Sequence, residues 1–279
     1  LYIKDRLADA ITHEEAEALP AQGGEIIYSD PRSPASRITA RLAKFGDTTL
    51  TDTILGTPFR YACEGFFQVN IPVYEQALRD IQEWVSYPKH TILAGNNFNR
   101  KNPSVIDLYA GVGTIGLTIG GDDVTLIEIN EFAVAEMQRN ITALGRVNAR
   151  AILAPSEKAL DFIAPNHIII VDPPRAGLHA DVVARLLEVM PPRIIYLSCN
   201  PITQARDIAL LAKEYSIHAH QGYNFFPRTP HIEHLVVLDR NRKNHTISSK
   251  PDRANRYKRL LRQQFNQCCC LSLCRANQA

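Results

Sequence analysis

Two stretches constrain the fold more than any others: Asn166-His-Ile-Ile-Ile-Val-Asp-Pro-Pro-Arg-Ala-Gly-Leu178 and Arg193-Ile-Ile-Tyr-Leu-Ser-Cys-Asn-Pro201. Each is an unbroken apolar run that ends in a polar, proline-containing loop. Short runs rich in Ile and Val, without alternation, read as strands covered on both faces, and such strands belong to parallel sheets. Ligands of open parallel sheets sit beyond the carboxyl ends of the strands. Asp172, Pro173, Pro174 and Arg175 therefore crown one strand, and Cys199, Asn200 and Pro201 the next. A carboxylate and a thiol at neighbouring strand tips are an arrangement for chemistry.

The chain around them alternates strand and helix from Pro103 onward. Strands are expected at 104–109, 124–129, 149–154, 167–171 and 193–198. Helices are expected at 131–144, where Gly145 stops the run, at 180–189 before Pro191-Pro192, and from Pro201 to about 214. Runs at 217–226 and 232–238 lie too close for a helical crossover, so they pair antiparallel. The fold class is α/β: a doubly wound, Rossmann-like sheet with a closing antiparallel hairpin. Before it, Pro72 opens an amphipathic helix with Val73, Ala77, Ile81, Trp84 and Val85 at helical spacing. Gln68 and Asn70 sit in the loop ahead of that helix. Residues 1–60 are broken by Gly, Pro, Ser and Thr, with strands expected at 25–28 and 37–42 and a capped helix at 12–19 from Thr12. The expected organisation is a small, β-rich, incomplete domain over 1–65, the α/β domain over 66–239, and a tail over 240–279.

Composition narrows the setting. The net charge is +2, but residues 241–279 hold nine Lys/Arg and one acid, Asp252. Such a tail suits RNA, or is merely solvated. No apolar run reaches the roughly 18 residues of a membrane span, and the chain starts at Leu1, so an upstream part is expected to be missing. Cys63 and Cys199 are isolated, while Cys268, Cys269, Cys270 and Cys274 crowd the end. Isolated cysteines without a signal peptide point to a reducing, cytoplasmic setting, and the crowded ones lack metal-site spacing, so no metal is expected.

Gly111-Val-Gly113-Thr-Ile-Gly116 follows a strand and opens a helix, which permits a tight turn and close backbone approach to a ligand. Glu128 ends the next strand, where a carboxylate can accept both ribose hydroxyls. Nicotinamide and S-adenosylmethionine enzymes share this signal, and glycines packed at such a turn for purely structural reasons look the same. The closing antiparallel hairpin and the Asp-Pro-Pro loop favour the methyl donor.

Five motifs together resemble one family. Phe66-Phe-Gln-Val-Asn70, Asp107-Leu-Tyr-Ala-Gly-Val-Gly-Thr-Ile-Gly-Leu117, Asp172-Pro-Pro-Arg-Ala-Gly177, Ser198-Cys-Asn-Pro201 and Phe226-Pro-Arg-Thr-Pro-His-Ile-Glu233 are similar, in order, to those of the RNA (uracil-5-)-methyltransferases. The resemblance implies a class I methyltransferase sheet, S-adenosyl-L-methionine as cofactor and RNA as substrate. It makes Cys199 the nucleophile and Glu233 the proton acceptor, and it sets Gln68, Tyr109, Gly111, Glu128 and Asp172 around the cofactor. The Gly-Val-Gly-Thr-Ile-Gly form is closer to the ribosomal-RNA branch than to the transfer-RNA branch. The family's oligonucleotide-binding barrel and four-cysteine iron–sulfur site are not visible in this sequence. A monomer that touches no membrane is expected.

The chemistry needs these residue types. C5 of uracil is a poor nucleophile; a thiolate adding to C6 turns the ring into an enolate that attacks a methyl electrophile. The helix opened by Pro201 favours the thiolate through its dipole. The C5 proton must then leave before the thiol can, which requires a base. Asp172 and Gln68 suit the uracil edge, and the base must leave its stack to reach them. Bland readings stand beside these. A lone Cys is usually a core hydrophobe, period 2 alone leaves Glu233 facing solvent, and His231 is a phosphate contact or a surface histidine. Three other functions remain open: an amine methyltransferase, which needs no Cys199; a nicotinamide oxidoreductase; and a catalytically idle RNA-binding module.

Overall fold

Ile168–Val171 is buried at every position, and so is Arg193–Ser198. Burying each Ile side chain stabilises by about 1.5–3 kcal/mol, and a strand gains this on both faces only inside a covered sheet. The computed structural model describes residues 2–4, 15, 18, 20–32, 38–62, 65–85, 103–121 and 123–241. Its centre is a seven-stranded sheet built from β6 (Val105–Leu108), β7 (Val124–Glu128), β8 (Ala149–Leu153), β9 (Ile168–Val171), β10 (Arg193–Ser198), β11 (Tyr215–Tyr223) and β12 (Glu233–Arg240). The order across the sheet is β11-β12-β10-β9-β6-β7-β8. β8, β7, β6, β9 and β10 run parallel, and β12 inserts antiparallel between β10 and β11. The order reverses between β6 and β9, which opens a crevice at their carboxyl ends. This is the expected α/β Rossmann-like architecture with its closing antiparallel hairpin.

Helices cover both faces: α1 (Ile71–Val85), α2 (Thr114–Ile119), α3 (Glu131–Ala143), α4 (Ala180–Val189) and α5 (Pro201–Leu211). One core packs α1, α2 and α3 against the sheet through residues such as Leu78, Leu117, Met137 and Ile170; the other packs α4 and α5 through Val182, Leu186 and Ile208. The buried face of α1 is Tyr74, Ala77, Leu78, Ile81 and Val85. Val73 and Trp84, expected on it, are only half-buried, because a stripe of period 3.6 runs through Tyr74 instead. α4 ends with Met190 in the left-handed region at φ 53°, and α5 stops at Leu211 rather than near 214.

Ahead of the sheet, β1 (Tyr2–Ile3), β2 (Gly23–Tyr28) and β3 (Ala40–Gly46) form a small sheet, and β4 (Thr49–Ile54) pairs with β5 (Thr57–Ala62) as a hairpin. The strand expected at 37–42 is displaced to Ala40–Gly46, and the β4–β5 hairpin was not foreseen. The hairpin turns at Leu55-Gly56, both with positive φ, without the Asn-Gly or Asp-Gly pair that signals such a turn. The helix expected at 12–19 falls largely outside the described residues, as do the 242–279 tail, Cys63 and the terminal cysteines. Among the described residues no helix is long and apolar enough to cross a membrane.

Candidate active site

The register of β10 against β12 brings two predicted site residues together. Ser198 pairs with His234 at the end of the antiparallel ladder. One step further sets Cys199 across from Glu233. In the parallel ladder, Tyr196 pairs with Val171, so Asp172 emerges beside the same strand end. Two prolines after Asp172 remove the N–H groups that would extend β9. After Ser198 the chain turns: the Ser198 hydroxyl accepts from Asn200 N–H at 3.1 Å, and Asn200 caps α5 by accepting from Ile202 N–H at 3.2 Å. Cys199 is thus held half-buried in a strand-to-helix corner.

Glu233 is buried, at 5% exposure, rather than solvent-facing. Period-2 alternation fails here because β12 is an inner strand with both faces covered. Burial pushes its carboxyl up to about 7, with Arg175 pulling the other way. Burial also raises Asp172 well above the carboxylate range, and the charges of Glu233 and Asp107 add to it. The Cys199 thiol is pushed up by burial and then by Glu233 and Asp172, while the Arg175 guanidinium opposes them. A carboxyl poised near neutrality, as that of Glu233 is, suits the moving of protons. His231, on the loop before β12, is exposed and lies 3.4 Å from Arg175 through Nδ1.

A cleft opens beside this group, lined by Phe66, Gln68, Tyr74, Tyr109, Gly111, Thr114 and Asp172 among others. Gly111 and Gly113 adopt φ 57° and 88°, and Tyr109 takes φ 66°, a conformation costing a non-glycine residue about 1–2 kcal/mol. Gly116 packs so closely that an added Cβ would lie 2.5 Å from Leu126, and its N–H donates to Asp107 at 2.8 Å. A Cβ on Gly111 would meet nothing within 4 Å, so its backbone borders open space. Glu128 accepts from Gly111 N–H through Oε2 at 2.9 Å, and from Ile129 and Asn130 N–H through Oε1 at 2.9 and 2.8 Å. Oε1 is fully used by the backbone, so a ribose would meet Oε2 alone. The Tyr109 hydroxyl is held by Ser156 and the His179 backbone.

Two observations test whether an S-adenosylmethionine-type ligand fits. Gln68 Oε1 is buried in the cleft with no hydrogen-bond donor among the described residues. Asp172 lines the cleft, and Glu128 grips the Gly-rich turn that forms its wall. A buried polar acceptor and acidic neighbours suit a cationic, hydroxyl-bearing ligand. Tyr74 and Thr114, whose hydroxyls hydrogen-bond at 2.7 Å, line the cleft without having been singled out. The period of α1 points to Tyr74, and Thr114 sits inside the Gly-rich motif. Among the described residues, no cluster of His, Cys, Asp and Glu could hold a metal.

The family model for tRNA (uracil-5-)-methyltransferase matches residues 157–241. A protein of Lactiplantibacillus plantarum, described as an uncharacterized RNA methyltransferase, is 34% identical over 250 residues, covering 84% of this chain and 50% of its own. One of Enterococcus faecalis with the same description is 36% identical over 200 residues, covering 69% of this chain and 41% of its own. The chain thus spans about half the length of the curated relatives it matches. The crystal structure of Pyrococcus abyssi tRNA (uracil-54, C5)-methyltransferase, in complex with S-adenosyl-L-homocysteine, superposes with TM-score 0.64 at 26% identity, over 85% of this chain and 55% of that one. That of a Methanocaldococcus jannaschii tRNA m1G37 methyltransferase, at 17% identity and TM-score 0.55 over 87% of this chain and 69% of that one, shares the fold.

Proposed function

The chain belongs to the RNA (uracil-5-)-methyltransferase family, and from that premise we propose that it carries the catalytic part of an enzyme that methylates C5 of a uridine in RNA, with Cys199 as nucleophile and Glu233 as base. S-adenosyl-L-methionine, when bound, supplies an electrophilic methyl group. Gln68, Tyr109, Gly111, Glu128 and Asp172 would hold it: Gly111 would bring the backbone close, Glu128 would offer Oε2 to the ribose, and Gln68 its orphaned acceptor.

The observation that supports this reading is that the β10–β12 ladder ends at Ser198 and His234, the neighbours of Cys199 and Glu233, with the Glu233 carboxyl close enough for its charge to act on the thiol. The Cys199 thiolate forms a bond to C6 of the uracil, and the electron pair moves to the C5–C4–O4 unit. Asp172, whose carboxyl burial raises well above the carboxylate range, can donate to the enolate oxygen when it carries a proton. With C5 methylated, Glu233 takes the C5 proton, the C5=C6 double bond re-forms, and the thiolate leaves. An amine methyltransferase has no use for a cysteine facing a base in this way. The form of the Gly-rich turn favours ribosomal RNA, and the family-model match favours transfer RNA. The fold 1–65 and the α/β body 66–239 are read as an RNA-side and a catalytic unit.

The test supplies labelled S-adenosylmethionine and unmodified bulk RNA to wild type and Cys199→Ala. Label in 5-methyluridine, lost in the variant, is the expected result. Label on another base, or label surviving the substitution, would overturn the reading.

A further inference from the structure

Helix α5 ties the two strand-tip loops to each other, and the tie converges on one buried carboxylate. Asn200 Nδ2 and Thr203 Oγ1 donate to the Arg175 carbonyl at 2.9 and 3.1 Å. Arg206 Nη2 donates to the Ala176 carbonyl at 2.9 Å. Asp207 Oδ2 accepts from Leu178 N–H at 2.8 Å and from the Tyr196 hydroxyl at 2.8 Å, and its Oδ1 accepts from Arg206 Nε at 2.9 Å. Asp207 is 1% exposed. Within four residues the loop behind Asp172 is therefore held at three backbone points, all from the helix that follows Cys199. Gly177 makes the approach possible: it takes φ +81°, and a Cβ there would stand 2.5 Å from Asp207 Oδ2 and 2.7 Å from Arg206 Nη2.

A buried charge is an expensive way to hold a fold, since an apolar residue of similar volume is often neutral or better. What the carboxylate supplies is geometry. Its partners are the loop that starts with Asp172, the strand that ends beside Cys199 and its own helix. We propose that Asp207 is a positioning residue: through Leu178, Tyr196 and Arg206 it sets where Asp172 and Arg175 stand relative to Cys199. The proposal rests on Cys199 being the nucleophile. The groups that face the thiol are Glu233 from β12 and Asp172 and Arg175 from the anchored loop. Arg175 is the cation opposing the two acids, and its own carbonyl is the doubly bonded anchor. Slack in this tie lets Arg175 drift and leaves the thiol among acids.

The experiment compares wild type with Asp207→Ala, Asp207→Asn and Arg206→Ala. Three quantities are read: affinity for S-adenosylhomocysteine by calorimetry, kcat and KM for 5-methyluridine formation, and the pH profile of Cys199 alkylation by iodoacetamide, followed on its own peptide by mass spectrometry. Asp207→Ala is expected to keep RNA KM, weaken S-adenosylhomocysteine binding by no more than about tenfold, since Gln68, Gly111 and Glu128 lie on other elements, lose about 100-fold in kcat, as displacements near 1 Å do, and shift the alkylation profile to higher pH. Asp207→Asn keeps an acceptor for Leu178 and Tyr196 and should recover most of both. Arg206→Ala, at a half-exposed side chain, should move both in the same direction by less. Wild-type kcat and an unshifted profile in Asp207→Ala would overturn the proposal, as would a loss of kcat with the alkylation profile unshifted, which marks a role in folding alone. Should Asp207→Ala not fold, wild-type kcat and an unshifted alkylation profile in Arg206→Ala overturn it equally. Absence of 5-methyluridine from the wild type would defeat the uridine reading instead, while the alkylation profile would still judge Asp207.

Discussion

Asn140 holds the backbone of Arg60 at both ends, across 80 positions of sequence: its Oδ1 accepts from Arg60 N–H at 2.8 Å, and its Nδ2 donates to the Arg60 carbonyl at 3.0 Å. The same Nδ2 reaches the Val112 carbonyl in the Gly-rich turn at 3.2 Å. Around it, buried Glu136 pairs with Arg60 Nε at 3.0 Å and with Arg139. The β4–β5 hairpin is thereby latched onto α3 and onto the wall of the cleft. Asn140→Leu would strip partners from one N–H and two carbonyls. Each buried group left unsatisfied costs about 1–3 kcal/mol, so a loss of at least about 2 kcal/mol in urea unfolding is expected. An unchanged midpoint would mean that the hairpin is held elsewhere.

Stability should fall as pH rises. Burial pushes Asp107 from 3.8 to about 7 and Glu233 from 4.5 to about 7. A carboxyl whose folded pKa lies above its unfolded one binds more protons when folded. Its contribution is complete below about pH 4 and is lost as pH climbs through 7. Urea midpoints between pH 5 and 7.5 should therefore decline, and Asp107→Asn should flatten the slope. A slope that rises, or is indifferent to that substitution, would show these carboxyls to be ionised in the folded state.

Activity should move the opposite way. Proton removal needs Glu233 ionised, so single-turnover release of free 5-methyluridine from the adduct should rise through about pH 7. Glu233→Gln keeps the shape without the basicity. It should still form the bond from Cys199 to C6 and then stall, leaving an enzyme–RNA adduct that survives denaturing electrophoresis. Normal turnover by this variant would remove Glu233 from its role.

Glu128→Ala should weaken S-adenosylhomocysteine binding by about tenfold or more, since it releases the Gly111 N–H and exposes a charge-assisted anchor worth about 1.5–3 kcal/mol. Calorimetry on the folded variant reads this directly. Unchanged affinity would confine Glu128 to bracing the turn.

Much of this molecule was legible one residue at a time. Helix α4 and strand β10 fall on their expected bounds, 180–189 and 193–198, because unbroken apolar runs and helical spacing are local statements about burial. The Gly-rich turn, Asp172 and Cys199 were legible for the same reason: each follows directly on a strand whose end the hydrophobic pattern marks. The β4–β5 hairpin was not, since Leu55-Gly56 lacks the usual turn residues.

By itself, the sequence determined the α/β order, the parallel run of strands and which residues crown their tips. Only the tertiary structure decided who faces whom. Glu233 is buried because β12 is inserted between β10 and β11, a matter of strand order that period 2 cannot see. Asn140, Glu136 and Asp207 read as ordinary polar helix positions, yet each is buried at 3% exposure or less. The value of Asn140 and Asp207 depends on backbone groups that lie 28 to 80 residues away, and that of Glu136 on the Arg60 side chain on another element. Side-chain patterning records whether a position meets water. It carries no record of which distant amide or carbonyl will need a partner once the chain has closed.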